Sequence, residues 1–347
     1  MSFKNWILLL FVRLLRKKRC NNPSNRHFLI ISTTGLGDTL WATPALQALR
    51  QSFPSAAITL LTTPLGEQVL RHNPWVDEMI VFEEPLAPKF FSLWRMLTKK
   101  SIDTVLVFHA SQRAMLPLAS LLGAKHIVGT NGINKNLDSL LTHAIDNRFE
   151  HEIVRRLQLI EAVGGKRGSE TLSYFPTEEE ILAAPKLPKN CVALHPGSKD
   201  GFKRWPAAHF IYVGKRLVEA GYHILITGAS DEKELMQTIG AEIPNATLCS
   251  PHLSLRAFAA LLQQVALVIS NDTGPVHLSC ALKVPVLSFY APTNPLQCGP
   301  HAAKKALAFT KPKTCDPCRK RNCAFAFCLL QIGPEDVVNS ALDMLKI

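Results

Sequence analysis

Ser270-Asn271-Asp272-Thr273-Gly274-Pro275-Val276-His277-Leu278 lies between the apolar run Val265–Ile269 and the small residues Ser279–Ala281. The pattern reads as a buried strand that ends in a polar turn and opens directly into a helix. In α/β proteins such a junction suits an anionic ligand, because the first backbone N–H groups of the helix lack internal partners and carry partial positive charge. Asp272 and Thr273 are also good helix caps, so a plain cap is the competing account.

The same alternation runs along most of the chain. In the first half, strands are expected at His27–Ser32, Ala57–Thr63, Glu78–Glu83, Thr104–His109 and His126–Thr130. Helices are expected at Thr39–Gln51, Phe90–Lys99, Ser111–Leu122 and Glu152–Val163. The second half repeats the rhythm, with strands at Cys191–His195, His223–Thr227, Ala246–Cys249, Val265–Ser270 and Pro285–Tyr290. Its helices fall at Ala207–Ala220, Asp231–Ile243, Leu255–Gln264 and Gly274–Ala281. Strands apolar on both faces, alternating with helices, imply parallel sheets covered on both sides. Phe175–Asn190 breaks the rhythm with Pro176, Pro185, Pro188 and the acidic run Glu178–Glu180. It reads as a linker between two doubly wound domains. The expected division is a basic apolar segment over 1–26, a first domain over 27–175, a linker over 176–190 and a second domain over 191–333. An amphipathic helix over 334–347 closes the chain.

Doubly wound domains bind ligands at the carboxyl ends of their strands, and two of them facing each other leave a cleft. Three segments lie at such ends. The first is Thr33-Thr34-Gly35-Leu36-Gly37-Asp38-Thr39-Leu40. It lacks the third glycine of a dinucleotide fingerprint, and Thr62-Thr63-Pro64 supplies no acidic ribose ligand, which argues against a nicotinamide dehydrogenase. The glycine turn instead leaves Asp38 near a helix start and facing the cleft, either as a reactive carboxylate or as a cap. The second segment is His195-Pro196-Gly197-Ser198 with Lys199, Lys203, Arg204, Trp205 and Pro206. Backbone donors, a hydroxyl and three cations in one loop suit a diphosphate held without a metal. The third is the opening segment together with the loop near Thr293, which ends another strand at the same edge.

Composition narrows the class further. The 347 residues are 47% hydrophobic and 19% charged, values of a globular chain. The net charge of +12 is concentrated in residues 1–20 and 304–321, each of net charge +6, and the rest is neutral. A nucleic-acid binder would show a basic face over its body, so nucleic acid is not an expected partner. The apolar run Trp6–Val12 is too short to span a bilayer. Followed by Arg16–Arg19, it suits an interfacial helix, with Trp6, Leu9, Leu10 and Leu14 in lipid; packing on the protein body is the alternative. Nine cysteines without an export signal point to a reducing compartment. Four of them, Cys315, Cys318, Cys323 and Cys328, leave free thiols and a structural zinc both open.

The three segments together resemble the glycosyltransferase family of the ADP-heptose:lipopolysaccharide heptosyltransferases. The matching residues are Thr34 to Leu46, His195 to Ser198 with Lys203 to Pro206, and Ser270 to Leu278; the Cys315–Cys328 pattern is similar too. The resemblance implies the GT-B fold, two Rossmann-like domains facing a cleft, with the acceptor bound by the first and the nucleotide sugar by the second. It implies Asp38 as the catalytic base and Lys203 as the group that steadies the donor diphosphate. Ser198 would contact phosphate. The helix start at Asp272, Thr273 and Gly274 would bind the donor, joined by His195, Gly197, Arg204 and His277. Asp231 is the candidate ribose ligand, with a helix cap the equal account. Thr34, Gly35, Gly37 and Thr39 would line the acceptor side. ADP-heptose is then a substrate, and no cofactor or metal is expected. The acceptor would be a lipid-linked oligosaccharide at the cytoplasmic face of the inner membrane of a Gram-negative bacterium. The alternatives are a GT-B transferase of another nucleotide sugar, an epimerase of that fold, or a non-catalytic membrane-associated protein.

Overall fold

The computed structural model describes residues 8–10, 12, 26–83, 85–250, 252–303, 305–316, 318, 323 and 326–346. The chain divides into two compact units, 1–170 and 171–347.

The first unit holds β1 (His27–Ser32), α1 (Leu36–Leu40), α2 (Thr43–Ser52), β2 (Ala57–Thr62), α3 (Pro64–Leu70) and β3 (Glu78–Val81). It continues through α4 (Phe90–Thr98), β4 (Thr104–His109), α5 (Met115–Leu121), β5 (His126–Thr130), β6 (His143–Ile145) and α6 (Glu152–Glu161). Its strands order β3-β2-β1-β4-β5-β6, and every pair is parallel. In the central strand Ile30 sits opposite Leu60 on one side and Leu106 on the other. Phe28 to Ser32 are buried, as expected of a strand covered on both faces.

The second unit holds α7 (Glu178–Ala183), β7 (Cys191–His195), α8 (Ala207–Glu219), β8 (His223–Ile226), α9 (Lys233–Glu242) and β9 (Thr247–Leu248). Then follow α10 (Leu255–Leu262), β10 (Leu267–Asn271), α11 (Gly274–Ala281), β11 (Val286–Tyr290), α12 (Pro295–Cys298), β12 (Ala306–Thr310), α13 (Phe327–Leu330) and α14 (Pro334–Leu345). The strand order β12-β11-β10-β7-β8-β9 is the first unit's order repeated, again all parallel. Each sheet therefore has one switch point, β1/β4 in the first and β7/β10 in the second. Ligands of open α/β sheets bind outside the carboxyl ends of the strands there.

Several expectations shift. The single helix expected at Thr39–Gln51 is two, α1 and α2; the Trp41 N–H closes α1 on the Gly37 carbonyl at 2.9 Å. Asp38 thus lies inside the first turn rather than ahead of it. Residues 176–190, expected as a linker, belong to the second unit. Thr177 and Glu180 form a capping box that starts α7, and Arg256 of α10 pairs with Glu180 and donates to the Phe175 carbonyl at 2.8 Å. The unit boundary falls earlier, between Glu170 and Thr171. The terminal helix is also part of the second unit. It packs Val337, Val338 and Ala341 inward, and Glu335 accepts from Tyr212 of α8.

At the N-terminus, residues 8–10 and 12 are helical, and Leu8, Leu9 and Val12 pack on the first unit's core. Leu9 is therefore turned toward protein, while Leu10 is exposed. Trp6, Leu14 and Arg16–Arg19 lie outside the described residues.

Candidate active site

At the second unit's switch point, Asn271 ends β10 and is fully buried. Its amide donates to the carbonyls of Pro196 at 2.7 Å and Gly197 at 3.2 Å, and its oxygen accepts from the Trp205 N–H at 2.8 Å. Trp205 anchors the loop's far end, stacked on Phe289 at 4.2 Å and donating to the Ile332 carbonyl. The intervening residues are thereby held at the strand ends. Lys203 reaches Asp272 at 2.6 Å, and the Thr293 hydroxyl donates to the same Asp272 oxygen at 2.6 Å. Arg204 donates to the Ser198 carbonyl at 2.9 Å and faces Glu232 at 3.7 Å. A basic loop is thus fastened to the start of α11.

Beside it opens a cavity of about 380 Å³. Ser198, Lys199, Ala229, Glu232, Thr273 and Pro275 give its polar and backbone lining, while Leu253, Leu255 and Phe258 supply an apolar wall. A lining that combines polar groups with an apolar wall fits a nucleotide, whose base is flat and whose phosphates are charged. Thr273 precedes α11 without capping it by its side chain; Pro275 has no N–H and the Val276 N–H donates to the Thr273 carbonyl at 3.1 Å, so the Gly274 N–H is the one in this turn left to meet an anion.

His195 also lines the cavity, but burial pushes its imidazole down to about 4, so it is neutral. Its Nδ1 meets the Thr227 hydroxyl at 3.0 Å, which ties β7 to β8. Gly197 has a steric reason: a Cβ there would sit 2.0 Å from the Glu232 carboxylate. Gly274 opens α11, and His277 is buried within that helix.

Asp231 is exposed and does not line the cavity. The acid that does is Glu232, 5% exposed and accepting from the Ala229 N–H at 2.9 Å. Choosing between two adjacent acids needs the backbone path through Gly228 and Ala229, which spacing alone does not supply.

At the first unit's switch point, the Thr33 hydroxyl accepts from the Ser111 N–H, joining the ends of β1 and β4. Asp38 is the third residue of α1, a favourable place for a carboxylate, and it is not the cap, which is Gly35. Thr39 is buried with its hydroxyl on the Gly35 carbonyl. Thr34 is half-buried, and its hydroxyl oxygen has no hydrogen-bond partner among the described residues. Gly37 lies between Leu36 and Asp38 in the same turn.

Two residues that the sequence does not single out, Arg156 and His109, act on Asp38. Arg156 of α6 is 1% exposed and places its Nη2 3.6 Å from the Asp38 Oδ1. Its Nη1 donates to the Glu152 carbonyl at 2.9 Å and carboxylate at 2.8 Å. The guanidinium also lies 5.7 Å from the Trp41 ring centre. His109, at the end of β4, is held below the usual histidine range by burial, opposed by the Asp38 carboxylate. The Glu-x-x-x-Arg spacing of Glu152 and Arg156 is visible in the sequence, but it also describes any surface helix pair.

Cys315, Cys318, Cys323 and Cys328 form no disulfide among the described residues. Among the described residues no three His, Cys, Asp or Glu side chains are grouped as ligands for a metal ion.

The model of glycosyltransferase family 9 (heptosyltransferase) matches residues 90–328. The chain belongs to that family. Relatives agree along nearly the whole length. The lipooligosaccharide heptosyltransferase 2 of Campylobacter jejuni is 27% identical over 328 residues, 90% of this chain and 96% of that protein. Among solved structures, a family 9 glycosyltransferase of Veillonella parvula superposes with a TM-score of 0.80 at 22% identity, covering 94% of this chain and 99% of its own. The E. coli heptosyltransferase WaaC with ADP gives 0.75 at 20% identity, covering 92% and 99%. These likenesses establish the GT-B fold of two Rossmann-like domains. The three sequence segments are loops that follow β1, β7, β10 and β11 at the carboxyl ends of the two sheets.

Proposed function

We propose that this protein is an inverting heptosyltransferase that moves heptose from ADP-heptose to a lipid-linked inner-core acceptor of lipopolysaccharide. The observation that carries the reading is the second unit's cavity, lined by Ser198, Lys199, Glu232 and Thr273, with the Lys203–Asp272 pair on the adjoining residues of the same two segments. Relatives named for heptose transfer, and the WaaC structure with ADP, support the same choice of donor.

In this reading the adenine lies against Leu253, Leu255 and Phe258, and Glu232 accepts from the ribose hydroxyls. The diphosphate takes the Gly274 N–H, the Ser198 region and the Lys203 ammonium. As an acceptor hydroxyl attacks the anomeric carbon, the bond to the diphosphate oxygen breaks on the opposite face. The hydroxyl proton passes to Asp38, and ADP departs with its charge met by those donors. No metal takes part in this scheme. Among the described residues, no helix is long and apolar enough to cross a membrane. The proposed location is peripheral, at the cytoplasmic face of the inner membrane.

The test is release of ADP from ADP-heptose in the presence of a lipid-linked inner-core acceptor, beside UDP-sugars as rival donors. ADP-heptose should be the productive donor and the new linkage should carry inverted anomeric configuration by NMR. Asp38→Asn should lose at least a hundredfold in turnover while still binding ADP by calorimetry. Faster turnover of a UDP-sugar, or an Asp38→Asn variant as active as the parent, would refute the reading.

A further inference from the structure

Helix α4 is amphipathic in an unusual sense: its outward side is apolar as well as charged. Phe90, Leu93 and Leu97 point inward to the first unit's core. Phe91 and Met96, on opposite flanks of the outward side, are 61% and 48% exposed. Trp94 is half-buried between the two environments. Its indole N–H donates to the Leu121 carbonyl at 3.2 Å, and its ring meets Phe91 edge-on at 6.5 Å. Lys89, Arg95 and Lys99 are exposed around these side chains. Lys89 is paired with Glu83 at 2.6 Å.

The N-terminal helical turn covers the same core cluster, through Leu8, Leu9 and Val12, and leaves Leu10 exposed. Directly after Val12 the sequence carries Arg13 and Arg16–Arg19 with no acidic residue before Arg26. Aromatic and aliphatic side chains ringed by cations are the composition of surfaces that enter the headgroup region of anionic bilayers. A protein partner of matching character would need an acidic rim around an apolar pocket; a lipid leaflet offers both without any specific shape.

We propose that the outward side of α4, together with Leu10, is a docking face for an anionic lipid surface. Phe91, Met96 and Leu10 enter the acyl boundary, Trp94 sits at headgroup depth, and Arg95 and Lys99 meet lipid phosphates. The inference extends the reading of a lipid-linked acceptor, because it orients the first unit's acceptor-binding side chains relative to the membrane that carries the substrate.

The test uses the full chain and sucrose-loaded vesicles of phosphatidylglycerol with phosphatidylcholine, beside vesicles of phosphatidylcholine alone. The wild type should sediment with the anionic vesicles only. Phe91→Ser/Met96→Ser and Arg95→Glu/Lys99→Glu should each weaken that binding at least tenfold, with unchanged thermal melts. ADP release with a water-soluble, delipidated acceptor should stay within twofold, so a failed function reading and a failed docking face give different results. Variants that sediment like the wild type would overturn the proposal, as would a wild type that binds neither vesicle or both equally. A change from dimer to monomer in the apolar variant, seen by light scattering, would assign the face to a second copy instead.

Discussion

Asp38 is an acid whose usefulness depends on its neighbours. The buried Arg156 guanidinium faces it at 3.6 Å and is itself fixed by Glu152, so the carboxylate is aimed rather than free. Arg156→Gln should lower turnover about 10- to 100-fold through lost orientation of the base. ADP affinity should be unchanged, since the cavity proposed for the nucleotide lies in the second unit. Steady-state kinetics beside calorimetric ADP titration checks this, and partial rescue by Arg156→Lys is expected. An equal loss of ADP affinity would make Arg156 structural. On the donor side, Gly197→Ala would drive a methyl group into a buried carboxylate at 2.0 Å. It should weaken ADP binding at least tenfold, because the displaced group, Glu232, lines the cavity. The loop residues Asp38, Ser198, Lys203 and Thr273 were legible because charge and hydroxyls are concentrated after apolar runs. Arg156, His109 and Glu232 were not, because each comes to the site through folding from a segment with an ordinary pattern.

Strand β10 does more than carry the turn after it. Through Asn271 it clips the loop 196–205 by three hydrogen bonds in a fully buried setting. Asn271→Ala should lower the unfolding free energy by about 3 kcal/mol, at roughly 1 kcal/mol net per bond. Denaturant unfolding of the full chain measures it, and a loss near zero would mean that the loop is held by its other contacts, Trp205 on Phe289 and Lys203 on Asp272. Which strands were legible follows from burial. Cys191–His195 is buried throughout and matched its expected bounds, as did His27–Ser32 with only its first residue half-buried. The missed strands β6 and β12 are sheet edges, where His143–Ile145 and Ala306–Thr310 are exposed or half-buried, so neither shows the burial on both faces that marks the central strands. The helix α7 was hidden for another reason. Its prolines and acidic run suggest a loop, yet Thr177 and Glu180 make a capping box and Arg256 neutralises the acid inside the second unit.

The two units have separate cores, so acid should act on each through its own histidines. In the second, His195 titrates near 4 when folded, against 6.5 as the ordinary value, because its ring is buried. Above 6.5 both folded and unfolded chains leave it neutral and pH has no effect through this group. Below 6.5 the unfolded chain takes up a proton that the folded chain refuses. Stability therefore falls as pH drops from 6.5 toward 4, by about 2 kcal/mol at pH 5. His209, also lowered by burial, adds to the second unit with the same sign, and His109 does so in the first. Thermal melts at pH 7.5 and 5.0 should show both units losing stability on acidification. His195→Asn keeps a polar partner for Thr227 and removes the titration. It should reduce the pH dependence of the second unit's transition to the part due to His209 and leave that of the first, governed by His109, as steep as before. If His195→Asn changes neither slope, the imidazole is protonated in the folded protein and the cavity is more open to water than its burial implies.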